Sequence, residues 1–348
     1  LIKNKEYKGK NMLRLEVNQF SRCHLWQMED KIHELDLNIN PHLKRLQYEM
    51  IVVFDDEKYK GRLLAYFNLT ESKPQGYIGY FDCCDDTEVS KLLFDRADEF
   101  FLKNQIFQIE GPVDLSIHNR YRLMLTGFKL HPYLGEPTNP NYFAKLWELR
   151  GFKIKQKWFT WDCPVGVVDD LMENFLQKSA PLDENSDFHI QFLNPKNLND
   201  FKPKIHQAVE EIFKDNYGIK PLSLEEFNFY YQSFAHILSE DGFIYLTDKN
   251  NNEILGYVFG YIQPSLHQTN LMVAYVMGIK KELRKTGLIH NMLYLWFQKN
   301  LLKGKNIGQL ELFIGALTKE GPTFLDPFGP PSRSYAVMTK NIEIKKIE

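Results

Sequence analysis

Residues 278–293 read GIKKELRKTGLIHNML. An apolar segment, LMVAYVMGI (271–279), precedes the basic turn, and LIHNMLYLWFQKNLL (288–302) follows it with the look of a helix. A strand that delivers the chain to a glycine and then to a helix N-terminus is a layout suited to anions. Backbone N–H groups converge there, the helix dipole is positive, and a glycine lets the backbone come close. In that reading Ile279 ends the strand, Arg284, Lys285, Thr286 and Gly287 form the turn, and Leu288 and Ile289 offer the first helical amides. The competing reading is a solvated basic corner ahead of an amphipathic helix, and the local pattern alone leaves both open.

Working outward, the flanking elements fall into two series of similar order. In the first half, YEMIVVFDD (48–56) and GRLLAYFNLT (61–70) read as a hairpin, and QGYIGYFDCC (75–84) as a third strand. DDTEVSKLLFDRADEFFLKN (85–104) has apolar residues at helical spacing behind an acidic start, and QIFQIEGPVD (105–114) is a strand stopped at Gly111-Pro112. NPNYFAKLWELRGF (139–152) reads as a helix ending at Gly151, and KIKQKWFTWDC (153–163) as a closing strand. The second half runs strand (187–194), helix (196–214), helix (225–238), hairpin (242–262), strand, the basic turn and a helix. Strands QLELFIGAL (309–317) and RSYAVMTK (333–340) close it, and Ser223 with Glu226 forms a candidate capping box. Between the halves lie a short helix and the polar stretch SAPLDENSD (179–187). The expected division is therefore 1–163, a linker at 164–187, and 188–348.

The 348 residues are enough for two domains, and 43% hydrophobic against 25% charged residues is a globular composition. A formal charge of -2 gives no global attraction to nucleic acid or anionic membrane. The basic run KKELRK lacks interleaved stacking aromatics, which disfavours a nucleic-acid surface. No run approaches the roughly 20 apolar residues that span a bilayer. Cys23, Cys83, Cys84 and Cys163 have no metal-ligand spacing, and no metal is expected; unpaired thiols suit a cytoplasmic location. The opening LIKNKEYKGKNM lacks the apolar core of a signal peptide, and Met12 is a candidate native start.

The segment GIKKELRKTGLI resembles the strand-to-helix motif of the GNAT superfamily of acyl-CoA N-acyltransferases, Arg/Gln-x-x-Gly-x-Gly/Ala. Arg284 and Gly287 match its first two specified positions, and Ile289 stands at the third, where a β-branched side chain crowds its own amide. The blocks GYFDCCDDTEVSKLLFDRADEF (79–100), EGPVDLSIHNRYRLMLTGF (110–128), NPNYFAKLWELRGF and DNYGIKPLSLEEF (215–227) are similar to those of bacterial proteins with two fused GNAT-like domains. The resemblance covers nearly all of residues 14–340. It implies an α/β (α+β) chain of two GNAT-like domains, each a twisted mixed sheet flanked by helices. It implies acetyl-CoA or another acyl-CoA as co-substrate, and a small-molecule or peptide amine as acceptor. Carboxylates at CDDTEVS oppose pyrophosphate in the first domain, so the expectation places CoA in the second, on Ile279 and Arg284 to Ile289.

Amine acylation needs a base for the ammonium proton and an acid for the departing thiolate. Glu311, Tyr275 and Tyr335 are the candidates the resemblance implies, with core packing as the competing account of each tyrosine. The loops GPVDLSIHN (111–119) and GEPTNPNYF (135–143) gather Asp114, Ser116, Asn119, Asn139 and Tyr142, read either as a substrate pocket or as turn chemistry. Where the group opens a helix, ALTKEGPTFLDPFGPPS (316–332) is rich in Pro and Gly, which puts a helix-borne acid in question. Three functional readings follow: an acyl-CoA-dependent N-acyltransferase, a GNAT scaffold that binds without catalysis, and an aminoacyl-tRNA-dependent transferase, which predicts a basic groove.

Overall fold

The computed structural model describes residues 13–17, 40–164, 168–182, 186–232, 234–250, 252–264, 270–307, 310–317 and 329–342. They form two compact units. The first draws on residues within 1–130, 137–157 and 334–348, the second on 131–136 and 158–333.

The first unit contains β1 (Leu13–Val17), β2 (Leu46–Asp55), β3 (Lys58–Asn68), β4 (Gly76–Cys83), α1 (Thr87–Lys103), β5 (Gln108–Gly111), β6 (Leu123–Thr126) and α2 (Phe143–Leu149). The start of β7 (Lys153–Pro164) joins them. Only the β4–β5 pair is parallel among the registers that hold this sheet, and it is short: Gly76 faces Ile109 and Tyr77 faces Glu110. Beyond it β4 bulges. Arg62 faces Asp82 and Leu64 faces Gly79, which sets Tyr80 and Phe81 against the single residue Leu63. Tyr80 takes φ +50 to make this step, a conformation that costs a non-glycine residue about 1 kcal/mol or more. One face of α1 supplies Val89, Leu93, Phe94 and Phe101, all fully buried, as its 3.6-residue period dictates. Trp147 on α2 meets Phe81, Phe94 and Phe152 edge-on at 4.7–5.4 Å between ring centroids, which locks α2 to α1 and β4. Each such pair adds roughly 0.5–1.5 kcal/mol beyond simple burial.

The second unit contains the remainder of β7, α3 (Val168–Lys178), β8 (Phe188–Phe192), α4 (Leu198–Phe213), α5 (Leu224–Tyr230) and the short α6 (Phe234–Ile237). It continues with β9 (Phe243–Asp248), β10 (Ile254–Pro264), β11 (Asn270–Ile279), α7 (Leu288–Ile307) and β12 (Leu310–Leu317). The strands lie in the order β7-β12-β11-β10-β9-β8, parallel at β11–β12 and antiparallel elsewhere. Helices α3 and α7 share one core through Phe175, Leu293, Trp296 and Phe297. Helices α4 and α5 share another through Ile205, Val209, Phe227 and Tyr257. The Ser223–Glu226 capping box is present and starts α5, satisfying two amides that the helix itself cannot.

The contact-defined units depart from a linear division. The last strand, β13 (Arg333–Asn341), pairs with β5 and β6 of the first unit, Met338 facing Gly111 and Ala336 facing Leu123. Phe159–Pro164 of β7 pair instead with β12, Phe159 facing Leu317. Residues 334–348 therefore leave the expected 188–348 domain, and 158–163 leave the expected 1–163 domain. Strand pairing between distant segments set this outcome, and no local pattern records it.

Candidate functional site

In the second unit, β11 carries a bulge: Phe259 faces Val276 and Gly260 faces Ala274, so the register with β10 skips Tyr275. The parallel pairing of β11 with β12 runs from Asn270–Leu310 to Ala274–Gly315. Strand β11 continues to Ile279. From Tyr275 onward the backbone groups that β10 does not use lie beyond the registered pairing with β12, which ends at Ala274. A 3-10 turn at Lys281–Leu283 follows, and α7 begins at Leu288. Thr286 steadies the turn: its hydroxyl donates to the Leu283 carbonyl at 2.8 Å and accepts from the Leu288 N–H at 3.4 Å.

The cations of this turn are mostly engaged. Lys280 meets Glu253 and, at 3.5 Å, Glu211. Burial opposes its charge, but the two carboxylates outweigh burial and hold its pKa above the usual lysine value. Lys281 pairs with Asp215 at 3.4 Å, and Arg284 donates to the Ile212 carbonyl near the end of α4 at 3.4 Å. Lys285 is exposed.

Gly287 has φ +88, and its role differs from the expected one. A Cβ there would lie 2.6 Å from the Lys178 carbonyl oxygen and 2.7 Å from the Ala180 nitrogen. Ala180 is itself fixed to α7, donating to Asn291 Oδ1 at 2.9 Å and accepting from Asn291 Nδ2 at 3.0 Å. The glycine is needed so that the end of α3 can cross the start of α7. Ile289 is half-buried and packs against the α3–α7 core.

The corresponding turn of the first unit is closed by its own carboxylate. Asp86 accepts from the N–H groups of Glu88 and Val89 and so caps α1. The Tyr142 hydroxyl donates to the Cys83 carbonyl at 2.9 Å, tying α2 to the end of β4. Burial, then Cys84 and the carboxylates of Asp82 and Asp86, push the Cys83 thiol up; burial and Asp86 do the same to Cys84. Cys163 is pushed up to about 12 by burial and Asp162. Thiols held protonated in this way are poor nucleophiles.

Where β4 and β5 separate, the first unit holds a cavity of about 650 Å³. Its wall combines Lys58, Arg62, Arg120 and Arg122 with Glu57, Asp82 and Asp114, over a floor that includes Phe81, Leu123 and Phe143. Asp114 is buried and central. It accepts from the Tyr80 N–H at 2.5 Å and from Arg120 Nε at 3.1 Å.

Of the expected substrate residues, Asp114 and Asn139 line this cavity. Asn139 spends its amide on Met124, accepting from the N–H at 2.6 Å and donating to the carbonyl at 3.3 Å. Ser116 accepts from the His118 N–H, and Asn119 donates to Tyr80 and to the Asp114 carbonyl, so both shape the loop. Tyr142 contributes the tie to Cys83. Turn chemistry therefore accounts for Ser116, Asn119 and most of Asn139. Tyr275 is 40% exposed beside Tyr261 and Phe259, at 6.0 and 6.1 Å. Tyr335 lies in the first unit, fully buried, because β13 belongs there; this corrects its pairing with a second-domain site. The side chain of Glu311 and the segment 318–328 lie outside the described residues. The cavity arginines carry no motif of their own; Arg120 and Arg122 lie just past the loop GPVDLSIHN (111–119), and Arg62 lies on β3.

Comparison with known proteins gives the same architecture. A tandem GNAT protein from the clavulanic acid biosynthesis pathway superposes with a TM-score of 0.54 at 10% identity, over 95% of this chain and 100% of that one. A GCN5-related glucosamine N-acetyltransferase region of a fungal β-N-acetylglucosaminidase gives 0.55 at 13% identity, over 97% of this chain and 39% of that one. The chain thus has the tandem GNAT fold, with mixed sheets flanked by helices. A curated relative, the bacterial ceramide synthase of Caulobacter vibrioides, is 20% identical over 193 residues, 54% of this chain. This match spans about half of that relative's length, 49%. No family model matches the chain. Among the described residues no helix is long and apolar enough to cross a membrane.

Proposed function

We propose that the chain is an acyl-CoA-dependent N-acyltransferase whose co-substrate is held by the second unit. The observation that supports this most directly is the bulge at Tyr275 followed by the departure of β11 from β12. Backbone groups from Tyr275 to Ile279 would pair with the amides of the pantetheine arm, as a strand would. The N-terminus of α7 and the exposed Lys285 would face the phosphates, where the helix dipole and a nearby cation favour negative charge. The amine nitrogen would attack the thioester carbon and lose its proton to water, the carbon–sulfur bond would break, and the half-exposed Tyr275 hydroxyl would protonate the leaving thiolate and regain its proton from solvent. The ceramide synthase relative makes a long-chain amine the acceptor to try first.

Acetyl-CoA should raise the thermal midpoint of the full chain, and Lys285→Glu should cancel most of that rise without lowering the midpoint of the free protein. Lys285 suits this test because it is exposed, whereas Gly287 is required by packing. A midpoint unmoved at millimolar acetyl-CoA or palmitoyl-CoA sinks the reading. Acyl transfer to a sphingoid base, followed by mass spectrometry, tests the acceptor separately.

A second reading, binding without transfer, draws on Gly287 packing against the end of α3 and on the Asp86 cap. It predicts no CoA effect at all. The aminoacyl-tRNA reading needs a continuous cationic groove, and the engagement of Lys280, Lys281 and Arg284 with α4 and β10 counts against it.

A further inference from the structure

We propose that an apolar pocket of the second unit receives the acyl group of the thioester and selects a short, uncharged one, of the propanoyl or butanoyl class. The inference rests on the acyl-CoA reading and names the group that would be transferred. The pocket lies on the face of the sheet that α4 and α5 cover. Ile205 and Val209 of α4, Phe227 of α5, Phe243 of β9, Phe259 of β10 and Val276 of β11 line it. Val276 is half-buried and the other five are buried.

Tyr275 belongs to the same wall, which ties the pocket to the bulge. With the phosphates at the N-terminus of α7, the pantetheine arm runs back along β11 from Ile279 toward Tyr275. The thioester therefore arrives at the part of the strand that borders the pocket, and the acyl carbons are the next atoms to need a place.

The space is about 40 Å³. One water takes roughly 30 Å³ in the liquid, so there is room for about one or two carbons beyond an acetyl group and none for a long chain. The walls resist enlargement. Phe243 stacks on Tyr257 at 5.1 Å between centroids, and Phe227 lies 4.5 Å from Tyr231. Rings packed this closely keep the space a fixed shape. An apolar gap among core side chains forfeits packing contacts, and a chain end of matching size regains them.

Charge is excluded on similar grounds. Lys202 is the one charged group among the described residues of the wall. Burial, then Tyr231, hold the Tyr257 hydroxyl well above its usual pKa. An acyl group ending in a carboxylate would lose its hydration here for little return.

The test is calorimetric titration of the full chain with CoA and with its acetyl, propanoyl, butanoyl, octanoyl and succinyl thioesters. Affinity should rise roughly fourfold for each carbon added from acetyl to butanoyl, the usual gain for a buried methylene. It should fall again at octanoyl-CoA, and succinyl-CoA should bind no better than acetyl-CoA. Val209→Ile adds a carbon to the wall and should cancel most of the butanoyl gain. Phe227→Leu opens the wall and should move the best fit to a longer chain. Thermal midpoints without ligand show whether each variant is folded, and the wild-type series decides even where one is not. The proposal fails if acetyl-CoA and butanoyl-CoA bind the wild type equally, or if octanoyl-CoA or succinyl-CoA binds it tightest. It also fails if a folded variant leaves the series unchanged. In each of those cases thioesters still bind and the acyl-CoA reading stands. If neither CoA nor any thioester binds, both fall together.

Discussion

The two units build the same corner with opposite electrostatics. In the first, β4 bulges at Tyr80, leaves β5 and reaches α1 through CDDTE, where the Asp86 carboxylate occupies the helix N-terminus. In the second, β11 bulges at Tyr275, leaves β12 and reaches α7 through KKELRKTG, where Thr286 and Gly287 lead into the helix. One backbone scheme thus supports a self-capped end and a basic end. The bulge and the parting of parallel strands are backbone properties; what occupies the opening depends on a few side chains. The first unit nevertheless holds a cavity of about 650 Å³, so its self-capped corner does not leave it without a pocket.

The sharpest way to break the comparison is to remove Ser334–Glu348. Tyr335, Ala336, Val337 and Met338 are at most 1% exposed and belong to the first unit. Hydrogen exchange should show protection lost in β4, β5 and β6 and retained in β8, β9 and β10; loss confined to the second unit would refute the assignment of β13. Next in size is Gly287→Ala. A Cβ at φ +88, 2.6 Å from a carbonyl oxygen, should cost about 3 kcal/mol in chemical denaturation. A loss near zero would mean that α3 can move aside, reopening the closer phosphate approach.

A pH effect comes third and marks the first unit. Burial, then Arg45 and His118, lower the His42 pKa from 6.5 to about 3. Above pH 6.5 the ring is neutral whether the chain is folded or unfolded, so the contribution is fully present. As pH falls from 6.5 toward 3, only the unfolded chain gains the proton, and stability drops. The slope is about 1.4 kcal/mol per pH unit, or roughly 2 kcal/mol by pH 5. Denaturation of His42→Gln across the same range should lack this slope. The smallest effect is Asp86→Ala, which removes the α1 cap and should cost about 1 kcal/mol, with Asp86→Asn close to wild type. Equal losses in both variants would show that charge, more than hydrogen bonding, holds the cap.

Much of this was legible along the chain. The spacing of Val89, Leu93, Phe94 and Phe101 placed α1, Ser223 with Glu226 marked the start of α5, and the acidic stretch before α1 supplied its cap, Asp86. Strands β1 and β6, of five and four residues, were not read from the sequence. The cavity arginines were missed because Arg62 and Arg122 are 60 positions apart and meet only when the loop after β5 folds back.

Sequence by itself determined most of the strands and helices, where α1 and α5 start, and which strand-to-helix turn is basic, because those properties depend on neighbours a few residues away. Tertiary structure alone decided that β13 completes the first unit, that Tyr335 and Tyr275 lie in different units, and that Gly287 makes room for the end of α3. Those outcomes depend on pairing and close approach between segments roughly 100 or more residues apart, where chain-closure entropy is set against burial and only the folded whole settles the balance.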